Sequence, residues 1–243
     1  MDPIARLYPE LHAGGFPRNS HRALFFLRVQ ALIDPDMTVL DFGAGRGLPG
    51  APDNPPGQLA RVQGKCRRLI GADIDPAVLD NPSIDEAIVL SDGSIPLPDG
   101  SVDLAFSWAV FEHIRDPEPT ARELTRIIKP GGWLCSWTPN RWGYVGIGGR
   151  MVPNRVHAKL LAYLAPGSGR TDSDVFPTFY RLNTRSALKR YFDPQEWEDF
   201  SYPFNGPPGY HANRYLLAAA INQLPRVLPS ACAQTWHVFM RRR

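Results

Sequence analysis

Three carboxylates, a run of spaced glycines and one histidine are the residues of this chain whose types and spacing can do chemistry. In Val39-Leu40-Asp41-Phe42-Gly43-Ala44-Gly45-Arg46-Gly47 an apolar run ends in an acid and then breaks into glycine at every second position. The pattern predicts a buried strand followed by a turn whose backbone comes very close to a ligand. A side chain at those glycines would fill the space the ligand needs. Asp41, Gly43, Ala44, Gly45 and Gly47 are therefore candidate binding residues. Asp73 ends the next apolar run, with Ile74 beside it. A carboxylate there can accept hydrogen bonds from both hydroxyls of a ribose. It can also cap a segment starting at Pro76, although Asp75 is better placed for that job. Asp92-Gly93 follows a third apolar run and reads either as a ligand acceptor or as an Asx-turn.

His113 stands beyond the carboxyl end of a fourth predicted strand, where open α/β sheets bind ligands. Its imidazole can take a proton from an acceptor hydroxyl, or Glu112 and His113 can simply organise the pocket. Trp108 and Trp137 end strands four and five; Trp108 is expected to line the pocket and Trp137 to pack in the core.

The elements that must position these residues follow from periodicity. Polar and apolar residues alternate at helical spacing over 19–33, with Asn19 or Ser20 as cap and Asp34-Pro35 as stop. Strands are predicted at 37–42, 68–73, 87–90, 102–108 and 133–137. The Pro/Gly-rich stretch 48–56 puts the next helix start near Gln58, and a helix over 118–128 ends at Lys129-Pro130-Gly131-Gly132. Further helices are expected at 154–164, 184–192 and 211–224, and strands near 197–203 and at 234–240. Strands alternating with helices predict a doubly wound, mostly parallel sheet.

With 243 residues, 43% hydrophobic and 21% charged, the chain fits one α/β domain over 1–243. A net charge of +3 is too small to call for nucleic acid as a partner. Cys66, Cys135 and Cys232 are far apart and form no metal cluster, which suits a reducing, cytoplasmic setting with no metal. No apolar run is long enough for a transmembrane segment, and the first residues lack the pattern of a signal peptide. The glycine spacing excludes a dinucleotide fingerprint, because its third glycine position falls on Leu48. No Gly-Lys-Ser/Thr closes the turn as a phosphate loop would require.

The Asp-x-Gly-x-Gly-x-Gly turn resembles the first motif of class I S-adenosylmethionine-dependent methyltransferases. The stretch from Asp99 through Glu112-His113 to Lys129-Pro130-Gly131-Gly132 is similar to the small-molecule branch of that family. The resemblance is strong over 37–140. It continues more loosely through Thr138-Pro139-Asn140 and 176–184, segments associated with bacterial members of unassigned substrate. It implies a seven-stranded sheet completed by an antiparallel last strand, with 139–183 as a substrate-side insertion or lid. It also implies S-adenosylmethionine as cofactor, with Gly43, Ala44, Gly45 and Gly47 under its methionine part. Asp41 would orient that turn and reach the cofactor's amino group through water. Asp73 would bind the ribose and Asp92 the adenine amino group, with Ile74, Gly93 and Trp108 as further cofactor-binding residues.

The reaction implied is in-line methyl transfer to a small molecule, at oxygen by family frequency, with His113 as base. The segment from Arg141 to Arg190 mixes cations with Trp142, Tyr144, Phe176, Phe179 and Tyr180. Such a lid suits an acceptor with an aromatic or apolar part and an anionic group. A solvated arginine-rich surface explains the same residues. Two rival readings are an RNA or protein methyltransferase and a non-catalytic cofactor-binding module. The expected state is monomer or homodimer.

Overall fold

The computed structural model describes residues 2–47, 55–91, 93–151 and 176–243. Five parallel strands carry the first part of the sheet: β1 (Thr38–Phe42), β2 (Arg68–Asp73), β3 (Glu86–Val89), β4 (Val102–Trp108) and β5 (Ile128–Pro139). Three C-terminal strands follow: β6 (Trp197–Asp199), β7 (Tyr202–Phe204) and β8 (Thr235–Arg242). The order is β3-β2-β1-β4-β5-β8-β6, with β8 antiparallel to β5 and β7 also pairing with β8.

Seven strand positions are thus filled by eight strands, because the predicted strand near 197–203 is broken. At the break the Phe200 N–H donates to the Phe239 carbonyl, and the Ser201 N–H turns aside to Asp199 Oδ1. Ser201 Oγ then accepts the Phe239 N–H, which the break would otherwise leave unpaired.

Helices cover both faces, as a parallel sheet demands. On one face α2 (His21–Ala31) buries Phe25, Phe26 and Val29 against Val39, Leu104 and Phe106, alongside α3 (Pro55–Ala60). Each fully buried side chain of this size contributes about 1.5–3 kcal/mol. Ser20 starts α2, its Oγ accepting the Ala23 N–H. On the other face α4 (Pro117–Ile127) presents Ala121, Leu124 and Ile127 at helical spacing, next to α6 (Arg185–Tyr191) with Leu188. Two short helices, α1 (Pro3–Leu7) and α5 (Tyr144–Met151), and α7 (Tyr215–Val227) complete the α-helices among the described residues.

Three boundaries differ from the sequence expectation for identifiable reasons. α3 starts at Pro55, not near Gln58, because prolines fit a first turn where their missing N–H has no partner anyway. α7 starts at Tyr215 instead of 211, because Ala212 and Asn213 hold left-handed φ values of 47° and 55°. β5 begins at Ile128, and Lys129-Pro130-Gly131-Gly132 forms a bulge within it between the pairs Val102–Ile128 and Leu104–Trp133. A Cβ on Gly132 would lie 2.7 Å from the Asp103 carbonyl oxygen, so only glycine lets the bulge press on β4. The helix expected at 154–164 lies outside the described residues.

Candidate functional site

The strand order reverses between β1 and β4, and this is where open α/β sheets form a crevice at their carboxyl ends. The glycine turn leaves β1 on one side of that crevice, and the segment after β4 forms the other. The Gly43 and Ala44 N–H groups donate to the Ala72 carbonyl, binding the turn to β2. Gly43, Gly45 and Gly47 all have left-handed φ, of 81°, 49° and 82°.

The three glycines do not share one role. A Cβ on Gly43 would sit 2.3 Å from Val110 Cγ2, so this glycine admits the chain leaving β4. A Cβ on Gly47 would sit 2.3 Å from Asn81 Oδ1. Only at Gly45 is the space open, the nearest atom to a built Cβ being Asp73 Oδ2 at 3.8 Å. The expectation that all three glycines clear room for a ligand is therefore corrected: two of them clear room for protein. Asn81, which the sequence did not single out, donates from Nδ2 to the Ala44 and Gly45 carbonyls (both 3.2 Å) and fixes the turn from below.

Asp73 stands at the end of β2 beside that open space. Its Oδ2 accepts the Gly45 N–H and its Oδ1 the Asp75 N–H, both at 2.8 Å. Asp75, not Asp73, caps the following turn by accepting the Ala77 N–H. Each Asp73 oxygen keeps acceptor capacity for a ligand hydroxyl. Ile74 projects next to it with 70% of its surface exposed, free to cover a ligand's flat face. Gly93 is exposed with φ 72° and open space around it, and Asp92 lies outside the described residues.

Asp41 accepts no hydrogen bond among the described residues. Burial, reinforced by the Asp73 carboxylate, pushes its pKa up to about 7. A carboxylate in that state attracts a cationic ligand group. An ammonium beside it offsets the cost of charging a buried carboxylate.

Past β4 the chain turns sharply at Ala109, a non-glycine residue at φ 58° whose N–H donates to the Trp137 carbonyl. His113 follows in a short 3-10 turn, Phe111–His113. Its Nδ1 lies 2.9 Å from the Pro177 carbonyl oxygen. A carbonyl can only accept, so Nδ1 carries a proton, and in the neutral ring it is Nε2 that has the lone pair.

The segment that supplies Pro177 is strapped down by buried bonds. Phe179 and Tyr180 N–H groups donate to the Glu112 carbonyl, and Thr138 Oγ1 donates to Glu112 Oε2 at 2.9 Å. Asn183 Nδ2 donates to Thr138 Oγ1 and to the Pro139 carbonyl. Glu112 stands out in the sequence, whereas Asn183 carries no signal beyond its place in the segment 176–184, since only the fold brings 183 beside 138.

Trp108 ends β4 and stacks on Trp137 at 4.3 Å, with Phe25 and Phe26 against it. It belongs to a row in cross-strand register, Trp108–Trp137–His237–Tyr202, on the face covered by α2. Both tryptophans are half-buried, so the division into one pocket residue and one core residue does not hold; they form one wall. Burial lowers His21 to about 4 and His237 to about 3, so these neighbouring rings are neutral packing partners, not a second base. Among the described residues no group of His, Cys, Asp and Glu could hold a metal ion, and no helix is long and apolar enough to cross a membrane. In the basic segment, Arg141 and Arg150 lie over the Trp142 ring at 5.7 and 5.2 Å. Arg155, Lys159 and Arg170 lie outside the described residues.

Residues 40–136 match the family model described as a methyltransferase domain. A probable S-adenosylmethionine-dependent methyltransferase of Mycolicibacterium smegmatis is 36% identical over 84 residues, 31% of each chain. The chain thus spans about a third of the length of the curated relatives it matches. Among solved structures, geranyl diphosphate C-methyltransferase from Streptomyces coelicolor, in complex with Mg2+, geranyl diphosphate and S-adenosylhomocysteine, superposes with TM-score 0.54 at 15% identity. It covers 91% of this chain and 80% of that one. The [4+2]-cyclase SpnF superposes with TM-score 0.51 at 14% identity, over 98% of this chain and 92% of that one. At these identities the superpositions establish the fold; the reaction must be argued from the site.

Proposed function

We propose that this protein transfers a methyl group from S-adenosylmethionine to a small-molecule acceptor, at oxygen, a reading supported by the match of residues 40–136 to a methyltransferase domain and by the similarity to a probable S-adenosylmethionine-dependent methyltransferase. One observation carries the reading. The open left-handed position at Gly45 lies beside Asp73, in the turn that leaves the strand carrying an unpaired Asp41, in the crevice where the strand order reverses. The residues present fit the cofactor. Gly45 leaves room for the thioether chain, Asp73 has acceptor capacity for two ribose hydroxyls, Asp41 suits the ammonium, and exposed Ile74 can cover the purine. Asp92 and Gly93 are assigned to the adenine amino group as part of the same proposal.

Bound there, S-adenosylmethionine supplies a methyl group already activated by its sulfonium. The chain's own contribution is alignment and one proton transfer. As the acceptor oxygen bonds to the methyl carbon and the carbon–sulfur bond breaks, His113 Nε2 accepts the hydroxyl proton. The Pro177 carbonyl holds the ring in the tautomer that leaves Nε2 unprotonated. The strap 176–183 and the Trp108–Trp137 wall then border the acceptor space. The proposal places the protein in the cytoplasm, supported by three free cysteines.

The test supplies methyl-labelled S-adenosylmethionine with a metabolite extract, total RNA or lysate protein as separate acceptors. Label is expected in the small-molecule arm. His113→Ala is expected to cut that transfer by a factor on the order of 10²–10⁴ while leaving cofactor affinity intact. Label entering RNA or protein instead would move the substrate class, and unchanged turnover would reduce His113 to a structural role.

A further inference from the structure

Arg22 lies in the second position of α2 and is half-buried at the carboxyl edge of the sheet. Its guanidinium carbon is 5.5 Å from the centre of the Trp108 ring. Among the described residues the guanidinium meets this ring and has neither a hydrogen bond nor an ion pair. Burial draws its pKa below the usual arginine value, the direction expected for a cation removed from water without a counter-ion. Such a group costs free energy until an anion reaches it.

Asp41 is its complement. It pairs in register with Phe106 on β4, and Trp108 occupies the next position on the same face. The unpaired carboxylate and the unpaired guanidinium therefore stand at one edge of the sheet, on the face that α2 covers, beside the glycine turn. They do not form an ion pair with each other. A negative and a positive group that are each unpaired, and held apart, match a zwitterion of opposite sense. An α-amino acid group is such a zwitterion, and its carboxylate suits the planar fork of arginine.

We infer that Arg22 is the counter-ion for the α-carboxylate of the cofactor's amino-acid part, while Asp41 faces its ammonium. The assignment rests on the methyltransferase reading, and its test uses binding alone, so no acceptor is needed. Calorimetry compares S-adenosylhomocysteine with the analogue in which only the carboxylate is replaced by hydrogen. The wild-type protein is expected to prefer S-adenosylhomocysteine by about tenfold or more.

Arg22→Gln is expected to lose that preference. It should weaken S-adenosylhomocysteine about tenfold and leave the decarboxylated analogue unchanged, with Arg22→Lys recovering part of the loss. If Arg22→Gln binds S-adenosylhomocysteine as tightly as the wild type, Arg22 serves something else, such as an anionic acceptor, and the assignment falls. Equal losses for both ligands would make Arg22 a support for Trp108 and overturn it too. Wild-type protein that binds neither compound overturns the cofactor reading itself, and the Arg22 assignment with it.

Discussion

Gly45→Val is expected to weaken binding of S-adenosylhomocysteine at least about a hundredfold while the protein stays folded, roughly 2.7 kcal/mol at 1.36 per factor of ten. Two effects add. A β-branched residue at φ 49° is strained by roughly 1–2 kcal/mol, and relief of that strain would twist the N–H away from Asp73. The added side chain also enters the open space at Gly45, where no protein atom lies closer than 3.8 Å to a built Cβ.

The contrast that makes the test specific is Gly47→Ala. There the new methyl group meets Asn81 Oδ1 at 2.3 Å, so the damage falls on packing and appears as a lower melting temperature. Thermal unfolding and calorimetry on both variants separate the two roles. Retained affinity in Gly45→Val would remove the turn from the cofactor site.

The second large effect concerns pH. Asp41 has its pKa raised to about 7 from an ordinary value of 3.8, by burial first and by Asp73 second. The sign follows from linkage. The empty protein is helped by a neutral Asp41 at low pH, and that help is lost as pH rises from 3.8 through about 7, on the order of 4 kcal/mol in all.

An ammonium placed beside Asp41 favours the carboxylate, so ligand binding lowers its pKa and releases a proton below pH 7. Affinity for S-adenosylhomocysteine is therefore expected to rise about tenfold between pH 6 and pH 8, flattening above pH 7. Asp41→Asn should bind more weakly at pH 8 and show no such slope. It should also make the empty protein more stable at pH 8, because no charge is then buried. Calorimetry across pH in the wild type and the variant checks both; an affinity that falls with pH in the wild type contradicts the ammonium contact.

What the sequence made legible divides along a physical line. Local chemistry was readable: the Ser20 cap, the strand that carries Asp41, the end of the helix before Lys129 and the order of strands and helices all depend on neighbours within a few residues. Asp75 as the better cap than Asp73 followed from the same local rules.

Contacts made by the fold were not readable. That Gly43 yields to Val110 and Gly47 to Asn81, while Gly45 alone stays open, depends on loops 34 to 67 residues away. The spacing of the three glycines looks uniform, yet their neighbours differ. Arg22 carried no signal either, since an arginine in the first turn of an amphipathic helix is ordinary. Its lack of a counter-ion is a property of what surrounds it. Asn183 and Pro177 matter because 176–183 returns to Glu112 and Thr138, a long-range docking that no periodicity encodes. The split edge at Phe200-Ser201 likewise reflects pairing with β8, not a breaker residue.

The central claim is that the crevice between β1 and β4 holds S-adenosylmethionine. Titration calorimetry with S-adenosylmethionine, S-adenosylhomocysteine and NAD tests it most directly. The account predicts micromolar affinity for the first two and none for NAD, because the third glycine that a dinucleotide turn requires is replaced by Leu48. Binding of NAD, or of none of the three, would contradict it and return Asp41, Gly45 and Asp73 to purely structural roles.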